Sequence, residues 1–481
     1  MHIIDILIFT VYMLFVLGIG IYFLKKNKNA ADYYVGGRSM GSSVIGLSVV
    51  ATDVGGGFSI GLGGLGFLMG LSGSWMLFTG LLGAWLSAVF LIPKASKLAS
   101  RLKLYTFPQL FEFFYSPRVA LLAGIISAVG YIGFTSSQLL AGAKLASATF
   151  EGLEMNTALI FMGVIAVAYT AMGGLKAVIY TDVVQWIILL AGLILIGIPL
   201  GYHAIGGMDV IRATLPAGFM KLNNIEWQTI VNWAVTIIPI WFVGMTLYQR
   251  IYATRSPKEA QKAWFIAGAF EWPVMAFMGV ILGLFARVAF ETGMFEYMGF
   301  APGGTMDAEM GLPLLLRTIL PVGLMGLMMA AYFSAVMSTA DSCIMAASGN
   351  IESDILKKIR PLPKGKKARL IQSQLITLGI GVLGLLIALQ MENVLELMLH
   401  SYAFMVSGLF VPVLGAFFTK RGSATAAFWA MIIGGGTTLT LTLLSVALPF
   451  GLDPNIFGIS ASALIFILLS YLFPGRKNVL D

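Results

Sequence analysis

The feature that most constrains this chain is a succession of long apolar runs, separated by charged or Gly- and Pro-containing breaks. A helix needs about 20 apolar residues to cross a bilayer core about 30 Å thick. Charged residues make up 11% of the chain and hydrophobic residues 58%. A water-soluble fold could not bury this much apolar surface. The sequence therefore predicts an all-α polytopic membrane protein with about 13 transmembrane helices. They are expected at residues 3–23, 43–72, 74–93, 119–149, 156–173, 176–202, 228–249, 263–288, 323–346, 370–390, 394–418, 423–448 and 455–474.

The same composition argues against disorder, a coiled coil and a nucleic-acid-binding protein. Cys343 is the single cysteine, so no internal disulfide can form, and three histidines are too few for haem or zinc clusters within the membrane. The first run lacks a basic segment before it and a small-residue cleavage site after it. We interpret residues 3–23 as a retained span rather than a signal peptide.

Basic residues predict the orientation of the chain. Most of the 30 Lys and Arg residues fall in alternate loops, which include residues 24–38, 94–118, 250–262 and 357–369. Arg250 is predicted to be one of these loop residues. The loops at 203–227 and 289–310 carry acidic residues instead, namely Asp209, Glu226, Glu291, Glu296, Asp307 and Glu309. Because cytoplasmic loops are enriched in Lys and Arg, we expect an outside N-terminus and a cytoplasmic C-terminus in a cell membrane.

The second apolar run contains a predicted helix break. Three consecutive glycines, Gly55 to Gly57, follow Asp53 at membrane depth. Glycine weakens a helix by about 1 kcal/mol relative to alanine, and unwound backbone inside a bilayer is tolerated where it lines a cavity or an ion site. Gly61, Gly63 and Gly66 spell G-x-G-x-x-G, but no strand precedes them, so close helix packing is the favoured interpretation.

Ionisable residues inside the runs are functional candidates because a bilayer disfavours them. They are Asp53, Asp182, Glu271, Asp341 and His400. A second signal is a helical face made by residues at i, i+3, i+4 and i+7 of the ninth run. Hydroxyls from such a face, with carbonyls from a broken helix opposite, suit a hard cation such as sodium. The residues of this face are Ala335, Ser338, Thr339 and Ser342.

Five motifs give the chain a close resemblance to the sodium:solute symporter family, which has the inverted-repeat fold of the bacterial leucine transporter. They are DYYVGGR (Asp32–Arg38), ATDVGG (Ala51–Gly56), AYTAMGGLKAV-x-x-TD-x-x-Q (Ala168–Gln185), QRIYATRS (Gln249–Ser256) and AVMSTADS (Ala335–Ser342). The resemblance implies one transporter domain, 1–481, with a first repeat at 43–202 and an inverted second repeat at 228–418. Residues 3–23 and 423–474 would be accessory spans, and the second and seventh spans would be broken.

The resemblance also implies a sodium site. Its carbonyl ligands match Ala51, Val54 and Ala335, and its hydroxyl ligands match Ser338 and Thr339. Asp182 matches an aspartate implicated in sodium passage or in a second sodium site. That second site uses hydroxyls at the positions of Asp341 and Ser342, so Asp341 is a departure, and Gly55 replaces a neighbouring serine.

The substrate pocket departs further from the sugar transporters of the family. Asp53 matches a position that is aspartate in proline transporters and asparagine in sugar transporters. Glu271 replaces their lysine, Ile240 their stacking tyrosine and Phe58 their glutamine, which disfavours sugar. Trp241 keeps an aromatic wall, and two further pocket residues are expected at Gln138 and His400.

These residues leave several solutes open. Glu271 and Asp53 together could bind a cationic or amine-bearing solute, with Trp241 and Phe58 in contact with the cation. Alternatively, Glu271 is protonated or bonded to a polar neighbour such as His400, and the solute is a zwitterionic amino acid or a small carboxylate held by helix N-terminal amides.

Three other classes of protein fit the sequence less well than a transporter does. An ion channel is a remote alternative, a redox subunit lacks paired metal ligands, and an enzyme lacks a nucleophile beside a base. We therefore expect Na⁺ as the coupling ion, and a small solute and the bilayer as partners. The sequence leaves the oligomeric state open.

Overall fold

The computed structural model describes residues 2–26, 35–53, 55–170, 175–359 and 365–475, and the regular structure in these ranges is helical. Strand-like pairing within them is confined to one isolated bridge between Met40 and Thr254. The first half contains α1 (Ile3–Lys26), α2 (Ser42–Asp53), α3 (Gly56–Met69), α4 (Trp75–Phe90), α5 (Ile92–Leu102), α6 (Gln109–Phe114), α7 (Pro117–Thr149), α8 (Met155–Thr170), α9 (Leu175–Gly192), α10 (Ile198–Ala204) and α11 (Gly207–Thr214).

The second half contains α12 (Trp227–Val243), α13 (Met245–Ala253), α14 (Pro257–Phe270), α15 (Phe277–Glu291), α16 (Ala308–Ile319), α17 (Leu324–Asn350), α18 (Lys357–Ile359), α19 (Lys366–Ala388), α20 (Val394–Phe418), α21 (Ala424–Leu443) and α22 (Pro454–Leu472). Three π-helical segments, Leu193–Gly197, Glu271–Ala276 and Ile351–Leu356, continue longer helices. The predicted all-α membrane architecture is confirmed.

The predicted count of thirteen spans is not confirmed. Within the described ranges, nine helical segments are long and apolar enough to cross a membrane, and a bent pair, α12 with α13, raises the number to ten. The described apolar parts of α1, α2 and α8 are shorter, at 10–17 residues. Each predicted run nevertheless coincides with a helix or a broken pair of helices.

Helix starts follow local sequence signals. Pro117 and Pro257 each stand at the first position of a helix, where their missing N–H has no intrahelical partner to lose. The preceding serines, Ser116 and Ser256, accept a hydrogen bond from a backbone N–H of the first turn, at 3.3 Å in both cases. These Ser-Pro pairs therefore fix where α7 and α14 begin.

The centre of the bundle is formed by α17 and α7, which pack against each other. The most apolar stretch of α17 is 94% buried, whereas those of α19 and α22 are each 28% buried. In a membrane protein, helices with large exposed apolar faces contact lipid, so α19, α21 and α22 lie at the periphery. The residues that carry polar chemistry are concentrated on α17 and its neighbours.

The glycines of G-x-G-x-x-G allow close helix contact, as the sequence indicated. A Cβ on Gly66 would lie 2.2 Å from the carbonyl oxygen of Val280, and a Cβ on Gly283 would lie 1.9 Å from that of Gly63. Helices α3 and α15 therefore approach each other backbone to backbone.

Candidate ion and solute site

The predicted break in the second span lies between α2 and α3. Helix α2 ends at Asp53, and Gly55 leaves the helical conformation with φ −59° and ψ −173°. A Cβ on Gly55 would lie 2.1 Å from Thr339 Oγ1 and 2.8 Å from the carbonyl oxygen of Ala51. Glycine is thus required here because a hydroxyl from α17 occupies the space of a side chain.

Three of the five predicted sodium ligands come together at this break. Thr339 Oγ1 lies 3.4 Å from the carbonyl oxygen of Ala51 and 3.2 Å from that of Ala335. The Ala51 carbonyl belongs to the last turn of α2, where carbonyls lack an intrahelical partner. Ser338 directs its hydroxyl to the carboxylate of Asp182 instead. Val54 lies outside the described residues.

Arg250 was predicted to be a loop residue, and that prediction is wrong. Its side chain is fully buried, and Nη2 lies 3.0 Å from Asp182 Oδ2. Nε donates to Ser48 Oγ at 3.1 Å, and Nη2 donates to Ser342 Oγ at 3.2 Å and also to Thr52 Oγ1. Helix α13 continues past residue 249 to Ala253 because the carboxylate of Asp182 and these hydroxyls satisfy the guanidinium.

The three candidate residues for a second sodium site bind other protein groups, and they do not share one partner. Asp182 and Ser342 both bind Arg250, whereas Oδ1 of Asp341 accepts a hydrogen bond from Thr170. Oδ2 of Asp341 is buried and has no hydrogen-bond partner among the described residues. Sequence reasoning missed Ser48, Thr52 and Thr170, whose hydroxyls gave no signal by themselves.

Glu271 lies at the start of a π-helical segment, and its side chain is fully buried. Pro273, two residues later, has no N–H to donate, and π-segments often accompany such interruptions at functional sites. A Cβ on Gly80 would lie 2.6 Å from Oε2 of Glu271, and one on Gly83 would lie 2.4 Å from Cδ1 of Trp241. Gly80 and Gly83 share one face of α4, so Glu271 and Trp241 pack on the same surface.

The carboxylate of Glu271 has no hydrogen-bond partner on either oxygen among the described residues. Asp53 lies close enough to interact with it electrostatically, and the Tyr402 hydroxyl forms a hydrogen bond with Asp53. The buried Lys144 is bound elsewhere, to Asp307 and Glu309. Glu271 is therefore a buried acid without a protein counter-ion in the described structure.

Two other predicted pocket residues meet at the first turn of α3, which contains Phe58 and contacts Gln138 of α7. A Cβ on Gly57 would lie 2.4 Å from Oε1 of Gln138, and this oxygen has no hydrogen-bond partner among the described residues. Phe58 and Trp241 are buried, and a second tryptophan, Trp264, meets Trp241 edge to face with ring centroids 6.3 Å apart. Asp53, Phe58 and Gln138 are thus grouped around the break between α2 and α3.

His400 does not join this group. Its side chain is 44% exposed, and Nε2 lies 3.4 Å from Oε1 of Glu396 on the same helix. The alternative in which His400 bonds to Glu271 is wrong, because His400 lines a separate open cavity of about 990 Å³. We call this cavity the vestibule.

The vestibule has an acidic lining. It contains one lysine, Lys144, and His400 as its basic side chains, against five carboxylates. Burial raises the pKa of Asp453, and His400 opposes that rise. A concave acidic surface attracts cations and raises their local concentration. The five carboxylates are those of Asp307, Glu309, Glu392, Glu396 and Asp453.

A family model with the description "Sodium:solute symporter family" matches residues 33–434 of this chain. The chain belongs to the sodium:solute symporter family. It is therefore a sodium-coupled solute symporter and a multi-pass membrane protein, and its relatives are transporters rather than enzymes.

Two relatives and one solved structure define the degree of similarity. The high-affinity proline transporter PutP of Bacillus subtilis is 30% identical over 432 residues, which are 88% of each chain. The sodium/pantothenate symporter of Escherichia coli is 27% identical over 95% of this chain and 94% of its own. A Na⁺-coupled sialic acid symporter, in a substrate-bound outward-open state, has a TM-score of 0.81 at 22% identity over 100% of both chains. At that identity the last match supports the fold alone.

Proposed function

We propose that this symporter binds its coupling sodium between the α2–α3 break and α17. The supporting observation is the cluster formed by Thr339 Oγ1 and the carbonyl oxygens of Ala51 and Ala335. Two oxygens about 2.4 Å from one hard cation, at right angles to each other, are roughly 3.4 Å apart. The 3.4 Å between Thr339 Oγ1 and Ala51 O fits that spacing. The Val54 carbonyl would complete the set with Ser338.

The contact between Ser338 and Asp182 is compatible with this role. A hydroxyl that donates its proton to a carboxylate keeps its lone pairs for a cation. Sodium bound here would join the broken helix to α17 and would stabilise the conformation in which both are correctly placed. Solute and sodium would then favour the same state, which gives coupling in both directions.

We propose further that the solute carries an amine. The observation that carries this proposal is the buried carboxylate of Glu271, which lacks a described partner and lies near Asp53. A buried charge needs a counter-ion, and an ammonium group of the solute would supply one. Trp241 offers an aromatic face beside it, and the acidic vestibule would concentrate cations on the way to the site.

A zwitterionic amino acid is the second candidate, and similarity to a proline transporter favours it. Its ammonium would face Asp53 and Glu271, and its carboxylate would lie at the N-terminal amides of α3, where the helix dipole favours an anion. A small carboxylate without an amine would leave Glu271 unpaired, and it is disfavoured for that reason.

Uptake into proteoliposomes tests both proposals. Under an inward sodium gradient, we expect amine-bearing solutes, with proline as the first one tested, to accumulate above neutral sugars and simple carboxylates. Glu271→Gln should weaken uptake of the amine-bearing solute, whereas Glu226→Gln, at the exposed start of α12, should not. If Glu271→Gln leaves every solute unchanged, the amine proposal is wrong.

We also propose one sodium per solute. Arg250 places a permanent positive charge between Asp182 and Ser342, two of the residues that would form a second site. A second cation there would be repelled by the guanidinium. Flux measurements with labelled sodium and solute should give a ratio of about one, and a reproducible ratio of two would contradict the proposal.

We also propose that residues 43–202 and 228–418 form inverted repeats, and that the N-terminus is external and the C-terminus cytoplasmic. Cys343, the single cysteine, is buried, so introduced cysteines can report the orientation. A membrane-impermeant thiol reagent added outside intact cells should label Glu226→Cys and spare Lys366→Cys. The reverse labelling pattern would show that the proposed orientation is wrong.

A further inference from the structure

A second large cavity lies between the first helix and the core, away from the solute site. Its volume is about 890 Å³, and it is walled by α1, α8 and α17. The N-terminal end of α1 is clamped to α17, since Oδ1 of Asp5 accepts backbone hydrogen bonds from Gly323 at 2.6 Å and Gly326 at 2.9 Å. Phe9 then packs edge to face on Phe333, with ring centroids 5.6 Å apart. Beyond this contact, the cavity separates α1 from α8.

The mouth of the cavity is continuous with the apolar exterior. The mouth is lined by Leu14 of α1 and by Phe161 and Val164 of α8, whose side chains are 60%, 60% and 62% exposed. In a membrane-spanning bundle, such a surface faces the acyl chains of the lipid. The inner wall, in contrast, is formed by Met337 and Ser338, which are buried.

Water is a poor occupant of this cavity. At about 30 Å³ per molecule, it would hold roughly 30 waters, each needing two to four polar partners. Among the described residues, its lining offers five polar side chains, and the hydroxyls of three of them already bond within the protein. Thr10 donates to Ile6 O, Ser334 to Ala331 O, and Ser338 to Asp182. An empty cavity is also unfavourable, because the lining atoms lose their dispersion contacts.

We propose that an acyl chain of a membrane phospholipid occupies the cavity between α1, α8 and α17. No hydrophobic driving force is needed, because the chain exchanges one hydrocarbon contact for another and gains close packing. Its inner end would rest on Met337 and on Ser338, which is itself one of the proposed sodium ligands and precedes Thr339 on the same helix. The site thus places lipid against the helix face that carries the ion site.

Photolabelling tests this inference in the full-length protein. The protein is reconstituted with a phospholipid that carries a diazirine near the end of its acyl chain, irradiated, digested and analysed by mass spectrometry. We expect labelling of Met337, which is buried in the bundle and lines the cavity. Met345, which is also buried on the same helix but lies outside the cavity lining, is the matched control and should stay unlabelled. Leu464, 66% exposed on α22, is the positive control.

Two filling variants make the test specific. Ala158→Phe adds volume at a fully buried lining position, and Thr10→Trp adds it from the exposed side of α1, where folding is less at risk. Each should abolish the labelling of Met337 and leave that of Leu464 unchanged. The proposal is overturned if Met337 is labelled no more than Met345, or if both variants retain full labelling of Met337.

Discussion

The buried pair of Arg250 and Asp182 makes a quantitative prediction about stability. Both side chains are almost completely inaccessible, at 0% and 2%, and Nη2 of Arg250 lies 3.0 Å from Oδ2 of Asp182. Removing one partner of such a pair leaves an uncompensated buried charge, which destabilises a protein by about 3–5 kcal/mol. We therefore expect Arg250→Gln and Asp182→Asn each to lower the free energy of unfolding by about 3–5 kcal/mol.

The double variant is expected to lose much less than the sum of these two effects. With both groups neutral, the amides can still bond to Ser48, Thr52 and Ser342, and no unpaired charge remains. The interaction free energy from the double-mutant cycle should be at least about 2 kcal/mol. It is measured by denaturant unfolding in mixed micelles, in potassium without sodium, so that loss of ion binding does not enter.

The matched control is the pair of Arg287 and Glu291, which are closer, at 2.6 Å, but partly exposed at 32% and 23%. An i,i+4 pair of this kind is worth about 0.3–0.5 kcal/mol. If the two buried variants destabilise no more than this control, or if their effects add within about 0.5 kcal/mol, the guanidinium is not the counter-ion of Asp182.

Three other predictions address the ion site and the vestibule. Gly55→Ala should reduce sodium-stimulated uptake, because its Cβ would collide with Thr339 Oγ1, whereas Gly379→Ala, with open space around it, should be neutral. Thr339→Val keeps the side-chain shape and removes an oxygen, so the sodium concentration for half-maximal uptake should rise; an unchanged value would remove Thr339 from the site. Burial raises the pKa of Asp453, so its contribution to stability is fully present below the unfolded-state pKa and is lost as pH rises through the folded-state value. Thermal unfolding of Asp453→Asn should lack this pH dependence, and identical pH profiles for the two proteins would contradict the assignment.

Much of the fold could be predicted because a bilayer imposes a length and a polarity on every helix. The apolar runs gave the helices, and the glycines at residues 55–57 gave the break after Asp53. The face formed by Ala335 and Thr339 was also predictable, since helical periodicity alone places i and i+4 together. The family resemblance then predicted that this face would meet the Ala51 carbonyl, which Thr339 contacts.

The pairing of charged groups was not predictable in the same way. Arg250 was assigned to a loop because hydropathy records position along the chain, and its partner Asp182 lies 68 residues away. His400 was expected in the solute pocket, with a bond to Glu271 as one alternative, but it lies beside Glu396 and lines the vestibule.

The sequence by itself determined that this protein is a helical membrane protein with a helix break after Asp53 and a hydroxyl-bearing face on a later helix, because apolar length, glycine and helical period act locally. Its motifs indicated the symporter family. Tertiary structure alone decided which acids have counter-ions: Asp182 is paired with Arg250, whereas Glu271 has no described partner. The physical reason is that the stability of a buried charge depends on the few ångströms around it, and those neighbours come from distant segments of the chain.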